Sequence, residues 1–316
     1  METQRGVSGT IDQIGGPGRP EAGRDADSAP RLVPRRHYLR WALGLIVTVY
    51  VVAIVVSFVT NEKFNWVVVG RYLFDPMVLA GLGNTLLLTV VSMTAGLILG
   101  YLVAEMALSD STLLRAASVT FVWVFRSLPL LVLLLLLYNV GALYDVIPIG
   151  LPFIPPILTL PTSGLSAFAV AIIAFSLHEA AYSSEIIRAS IQSVPRGQLE
   201  AARALGMTRG RTMRRVIFPS AIRVALPPLM NQIIMMLKGT AIVAFIAFPD
   251  LLFSIQRIYT VNYEVMPLLI VASIWYFIIV SVATVLQRSV EHRMARVTRR
   301  RGAAAGPVSV GKARGQ

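Results

Sequence analysis

The chain has 316 residues, 55% hydrophobic and only 14% charged, with a formal net charge of +13 and a mean hydropathy of +0.68. Soluble domains carry roughly one quarter charged residues, so this composition excludes an ordinary soluble protein and indicates a polytopic membrane protein. There is no cysteine, which excludes disulfides, thiol catalysis and thiolate metal sites. The basic stretches also lack the interleaved aromatics of a nucleic-acid surface.

Residues 1–38 are rich in Gly, Pro, Asp and Arg, with almost no aromatics, and are expected to form a disordered tail. The tail is too long to be the basic region of a secretory signal. Residues 39–61 follow as an anchor helix with its apolar run over 41–60. Further apolar runs cover 78–106, 117–143, 165–187, 222–248 and 267–286, giving about six helices, each long enough to cross a bilayer at about 1.5 Å per residue. The expected organisation is a membrane core over 78–292 and a basic tail over 293–316. The fold class is all-α and membrane-spanning.

Orientation follows from the basic residues. Placing Arg31, Arg35, Arg36 and Arg40 in the cytoplasm puts Arg115, the arginines from Arg188 to Arg223 and Arg299, Arg300 and Arg301 on the same side. Only Lys63, Arg71 and Arg257 fall outside, with Arg126 and Lys238 within spans. Both termini are therefore expected in the cytoplasm. On the outer side, 145–164 is Pro-rich and expected to be irregular, whereas 249–258 has helical apolar spacing behind Pro249 and Asp250 and reads as a short interfacial helix or a connecting loop.

The cytoplasmic stretch 195–219 is unusually long, basic and punctuated. Pro195 and Gly197 are expected to break the preceding helix, and Gln198 to Leu205 to form a short helix. Its small Ala201 and Ala202 would allow close approach of another surface. Glu200 is expected near the helix start, where its charge suits the dipole, and Gly206 to end the helix in a left-handed turn. Thr208 can cap a second helix bearing Arg209, Arg211, Arg214 and Arg215 on its wet face. Pro219 is expected to keep Phe218 out of a helix and to set the angle at which the chain returns to the membrane.

Ionisable groups within spans are costly, about 3 kcal/mol at mid-bilayer, and should face an interior or a cavity. Arg126 is expected in the first turns of its span, snorkelling, pairing with a carboxylate or lining a pathway. Glu179 with Ser183, and His178 with Tyr182, are four residues apart and give the fourth span a polar side. Glu185 and Arg188 read as a structural pair. Asn231 and Lys238 share a face of the fifth span, with Thr240 beyond them. Lys238 can meet a solute carboxylate or neutralise Glu264 or Asp250. Gly96 and Gly100 form a G-x-x-x-G pair suited to helix packing, within the chain or between subunits. His178 has no second ligand at metal spacing, so no metal site is expected.

Glu200-Ala201-Ala202, Gly206 and Ile217-Phe218-Pro219 resemble the EAA signature of permease subunits of binding-protein-dependent ATP-binding-cassette (ABC) importers. The branch handling polar amino acids is further matched by Gly83-Asn84-Thr85-Leu86, Phe125-Arg126-Ser127-Leu128-Pro129, Glu179-Ala180-Ala181-Tyr182, Glu185-Ile186-Ile187-Arg188, Pro227-Pro228-Leu229-Met230-Asn231-Gln232 and Leu237-Lys238-Gly239-Thr240. The resemblance covers roughly 65–294. Ser220 departs from the Gln frequent after the Pro, Ala241 from the usual Ser, and the Pro-rich outer loop looks long. These departures bear on cargo rather than on family.

The resemblance implies the type I ABC importer permease fold, in the bacterial inner membrane, with no catalytic residue or cofactor of its own. It further implies a second permease subunit, cytoplasmic ATPase subunits, an extracytoplasmic solute-binding protein and an amino acid cargo moved by alternating access. Gln198, Glu200, Ala201, Ala202, Leu205, Gly206 and Pro219 would couple to the ATPase. Arg126, Glu179, Tyr182, Ser183, Asn231, Lys238 and Thr240 are pathway candidates. The chain carries no G-x-x-x-x-G-K-[ST] loop, so ATP would be hydrolysed elsewhere. The alternatives are the same machine serving an opine or amine, or a self-sufficient ion-coupled carrier.

Overall fold

The computed structural model describes residues 38–149, 156 and 158–304. The expected tail before Tyr38 and the end of the basic tail beyond Ala304 lie outside them. Helix α1, Tyr38–Thr60, is apolar on every side, and each of its side chains whose burial is described is exposed. It belongs to one compact unit, whereas the chain from Asn61 onward forms another; each is taken by itself.

The second unit opens with a 3-10 turn, Glu62–Phe64, and α2, Trp66–Tyr72, neither of which the apolar pattern announces. Helix α3, Pro76–Ala107, begins where Asp75 accepts a hydrogen bond from the Met77 N–H at 2.8 Å. Pro76 occupies the first helical position, where its missing N–H costs nothing. Helices α4, Thr112–Ser127, and α5, Leu130–Tyr138, follow, then a small antiparallel ladder of β1, Val146–Ile149, and β2, Leu158–Pro161. Next come α6, Ala167–Gln192; α7, Arg196–Ala204; α8, Arg209–Thr212; a π-helical turn, Met213–Ile217; and α9, Phe218–Gly239. A 3-10 segment, Thr240–Ile246, leads to α10, Leu251–Asn262, and α11, Val265–Ala304.

Among the described residues, five helical stretches are long and apolar enough to span a membrane, and a further pair, α4 and α5, is bent by 99°. The span expected at 117–143 is this broken pair rather than one uninterrupted helix. Pro129 donates no backbone hydrogen bond and forces Leu128 out of helical conformation (φ −85°, ψ 127°). The loop at 145–164, expected to be irregular, instead pairs Val146 with Pro161 and Ile149 with Leu158; its tip, apart from Pro156, lies outside the described residues. The short helix expected at 249–258 is α10. Asp250 caps it by accepting from the Phe253 N–H at 2.8 Å, and burial pushes the Asp250 carboxyl up to about 6.

Two apolar clusters hold the second unit together. One gathers Leu88, Leu134, Ala174, Phe175, Val243 and Ile246; the other gathers Val78, Leu251, Ile255, Leu268 and Val271. Helix α10 is sealed onto α3 by polar contacts. The Leu251 N–H donates to Thr85 Oγ1 at 3.0 Å, Asn84 donates to the Pro249 carbonyl at 2.8 Å, and Gly81 leaves room for Ser254.

Helices α3 and α6 meet at Gly96 and Gly100. A Cβ on Gly96 would lie 2.7 Å from the Glu179 Cβ, and one on Gly100 would collide with Ser183 Oγ. Ser183 Oγ donates to the Glu179 carbonyl at 2.8 Å, and Ser176 Oγ to the Ser92 carbonyl at 3.3 Å. Of the two uses open to the G-x-x-x-G pair, the structure therefore shows packing within the chain. Gly96→Leu or Gly100→Leu should lower stability by about 1–3 kcal/mol through overpacking. Gly44→Leu on α1, with open space around it, should not. Thermal unfolding in detergent measures the difference.

Candidate functional site

Helix α7 is set off from α6 by Pro195 (φ −56°, ψ 132°). It starts at Arg196, earlier than expected, so Gly197 lies inside it and does not act as a breaker. Glu200 sits at mid-helix, away from the first turn, and its charge has little to gain from the helix dipole there. The far end closes as the sequence indicates. The Gly206 N–H donates to the Arg203 carbonyl at 2.9 Å and the Met207 N–H to the Ala202 carbonyl at 3.1 Å. This double closure is a Schellman motif, which requires the left-handed conformation that Gly206 adopts (φ +66°).

The two faces of α7 differ. Ala202 is buried, whereas Gln198, Glu200, Ala201 and Leu205 are exposed, Leu205 at 80%. Behind the helix lies an open cavity of about 590 Å³ lined by Leu108, Leu199, Met207, Met213 and Ile217 among others. Thr208 takes the capping position of α8 without a side-chain bond. Arg209, Arg211, Arg214 and Arg215 are all exposed, and Arg209 lies 3.8 Å from Asp110.

The expected bend at Pro219 is absent. Phe218 is helical (φ −56°, ψ −47°), and Arg209–Ile246 forms one 38-residue helical stretch. The π turn takes up an extra residue directly before Pro219 and so accommodates, without a break, a residue that donates no backbone bond. Pro219 thus lies on a continuous path leading away from α7.

That path reaches a second feature. A cavity of about 150 Å³ lies among α5, α6 and α9, lined by Leu130, Phe175, His178, Glu179, Tyr182 and Gln232, with Met235, Met236 and Gly239. Glu179 is only 3% exposed, and neither its Oε1 nor His178 Nδ1 has a hydrogen-bond partner. Buried polar atoms are nearly always paired, so this oxygen, beside a cavity, is left with room for a hydrogen-bonding partner. The Arg126 guanidinium stacks over the Tyr182 ring at 5.0 Å. Arg126 is in the last turn of α4, beside the Pro129 break, rather than in the first turns of a span.

The pathway candidates therefore divide. Glu179 and Tyr182 line the cavity, and Arg126 reaches it through Tyr182. Ser183 faces α3 instead, and buried Thr240 donates to the Leu237 carbonyl at 2.8 Å. Asn231 and Lys238 are exposed on α9 in a stripe with Val224, Pro228 and Met235, spaced alternately four and three residues apart, and Phe245 of the following 3-10 segment is exposed as well. Lys238 does not neutralise Asp250 or Glu264. Asp250 caps α10 and faces the Tyr276 hydroxyl at 3.5 Å, Glu264 accepts from Asn65 at 3.4 Å, and Lys238 joins neither ion pair found among the described residues. Glu185 and Arg188 form the expected pair at 2.8 Å.

Gln232, Phe175 and Met236 were not among the sequence candidates. The spacing of Phe175, His178, Glu179 and Tyr182, and of Gln232, Met236 and Gly239, marks one face of each helix and was the available signal.

The family described as binding-protein-dependent transport system inner membrane component matches residues 96–296. An arginine transport system permease protein of Corynebacterium glutamicum is 36% identical over 82% of this chain and 81% of its own length. A nopaline transport system permease protein of Agrobacterium fabrum is 34% identical over 70% and 91%. Among solved structures, an amino acid ABC transporter crystallised with histidines matches with a TM-score of 0.60 and 36% identity, covering 70% of this chain and 95% of that one.

The closure of α7 yields a direct prediction. Gly206→Val should cost roughly 1–2 kcal/mol locally and fray the helix end, speeding tryptic cleavage at Arg203 and Arg209 in the purified protein. Gly210→Ala, within α8, should leave the cleavage rate unchanged.

Proposed function

The chain belongs to the family of binding-protein-dependent transport system inner membrane components, and from that premise we propose that it is the permease subunit of an ATP-driven importer of polar amino acids. In this reading it works with a second permease subunit, same or homologous, with cytoplasmic ATPase subunits that receive α7, and with an extracytoplasmic solute-binding protein. The fold is that of a type I ABC importer permease, and the protein is multi-pass in the inner membrane. The proposed orientation puts both termini and α7 in the cytoplasm, supported by the exposed arginines flanking α7.

One observation carries the reading: exposed α7 leads through a four-residue link, Leu205 to Thr208, into the continuous helical stretch Arg209–Ile246, which supplies Gln232, Met236 and Gly239 to the cavity holding Glu179. A displacement of α7 is thereby transmitted along a helix to the cavity wall. The mechanism we propose is alternating access. ATP draws the ATPase pair together, α7 moves with it, and the pathway opens outward; hydrolysis and product release reverse the motion.

Each residue then has a role. Leu205 and Ala201 offer α7 an apolar, close-fitting contact, and Glu200 a charge at its rim. Glu179 Oε1 accepts a hydrogen bond from the solute ammonium, a group shared by all amino acids, so this contact recognises the class rather than one member. Tyr182 and Arg126 border the same space. The stripe sets two polar groups, Asn231 and Lys238, on the exposed side of a membrane helix, a costly arrangement against lipid, and we assign it to the pathway between the two permease subunits. The nopaline relative favours an opine as the second reading of the cargo.

The test is reconstitution with the ATPase and binding protein, followed by ATPase and uptake measurements against a panel of amino acids. Glu200→Arg should abolish ATP-driven uptake and ATPase co-purification while the protein still inserts. Glu179→Gln should leave assembly intact and reduce uptake about tenfold or more, the loss of one charge-assisted hydrogen bond in a buried site. Uptake by the purified chain without any ATPase, at the rate of the assembled system, would refute the reading.

A further inference from the structure

Helix α11 is longer than a membrane crossing requires. Its 40 residues rise about 60 Å against a hydrocarbon core of about 30 Å. The apolar run ends near Leu286, where Phe277, Val282, Val285 and Leu286 are exposed as on a lipid-facing side. From Gln287 the composition turns basic while the helix continues to Ala304. Arginines stand at 288, 293, 296, 299, 300 and 301, and Glu291 is the sole carboxylate from Gln287 to Ala304.

The charges are not scattered. Gln287, Val290, Glu291 and Met294 are partly buried, whereas Arg288, Ser289, His292 and Arg293 are exposed. Glu291 is held on the inner side, accepting from Gln287 at 2.9 Å. At 3.6 residues per turn, positions 288, 293, 296, 299 and 300 fall within an arc of about 140°. Basic residues in a loop would satisfy a topology rule equally well; a continuous helix that places five of the six arginine positions on one face, all but Arg301, also builds a surface.

We propose that this extension of α11 is a binding site for anionic phospholipid headgroups, anchoring the helix where it emerges from the membrane. Guanidinium groups pair with phosphate oxygens in bidentate geometry, and a cluster of four to eight basic residues next to a span is the composition that collects anionic lipid. The exposed positions 288, 289, 292 and 293 are all polar and lack the aromatic or apolar anchors of a protein interface. Arg299, Arg300 and Arg301 lie beyond the family match, which ends at residue 296, whereas Arg288, Arg293 and Arg296 lie within it, so the surface runs outward from the end of the shared transport core. The inference is independent of the cargo.

The absence of cysteine allows a unique probe. A spin label on Ser289→Cys in the full chain is compared in nanodiscs of phosphatidylcholine alone and of phosphatidylcholine mixed with phosphatidylglycerol. The label should be slowed severalfold with phosphatidylglycerol and released at about 1 M salt, where the Debye length is about 3 Å. Changing Arg293, Arg296, Arg299 and Arg300 together to Gln should abolish the lipid difference, whereas changing them to Lys should retain most of it. Equal mobility in both lipids, immobilisation that survives high salt, or a Gln variant that behaves like the parent would overturn the proposal. So would immobilisation that occurs only on adding the ATPase, which would identify a protein partner instead.

Discussion

The helical stretch Arg209–Ile246 constrains everything else in the second unit. It changes geometry twice, through the π turn at Met213–Ile217 and the 3-10 segment at Thr240–Ile246, yet it never opens into a loop. A sharp bend at Pro219 would have separated α7 mechanically from the membrane interior. The π turn joins them instead, and it lies where α7, the 590 Å³ cavity behind it and the start of α9 meet. Turns of this kind are frequent at functional positions in helices.

Against this stretch stands a rigid wall. Gly96 and Gly100 bring α3 and α6 close enough that Ser176 and Ser183 bond across or along the contact. The glycine seam fixes the rotation of α6 and hence the direction of Glu179, whose Cβ packs on Gly96 while its carboxylate reaches the cavity. The proposed solute contact thus rests on a fixed helix pair, and the other wall, from α9, belongs to the element attached to α7. A fixed wall opposite a driven wall suits alternating access.

Much of this was legible in the residues. Apolar runs located the spans because lipid demands them, and Gly206 announced its left-handed turn because few other residues tolerate one. The G-x-x-x-G spacing on α3 announced a close contact. The failures share a cause. Pro129 and Pro219 carry the same local signal, a missing donor and a restricted preceding residue, yet one bends its helix by 99° and the other does not. What decides is whether neighbouring turns can absorb the missing bond, and that depends on packing. Gln232 was overlooked for a related reason, since a helix face becomes a cavity wall only when another helix stands away from it. Lys238 looked like a partner for Asp250 or Glu264 because its height along the helix puts it in the outer half, on the side of both carboxylates, but both have other contacts.

The central claim, that α7 and the Glu179 cavity are two ends of one mechanical element, can be measured directly. A single cysteine at Gln232, in the chain assembled with its ATPase, reports access to the cavity through its rate of thiol labelling with and without a non-hydrolysable ATP analogue. The claim predicts that nucleotide changes the labelling rate, and that softening the joint with Val216→Gly and Ile217→Gly removes the change while the ATPase remains bound. A nucleotide-dependent rate that persists unchanged in the softened variant would contradict it.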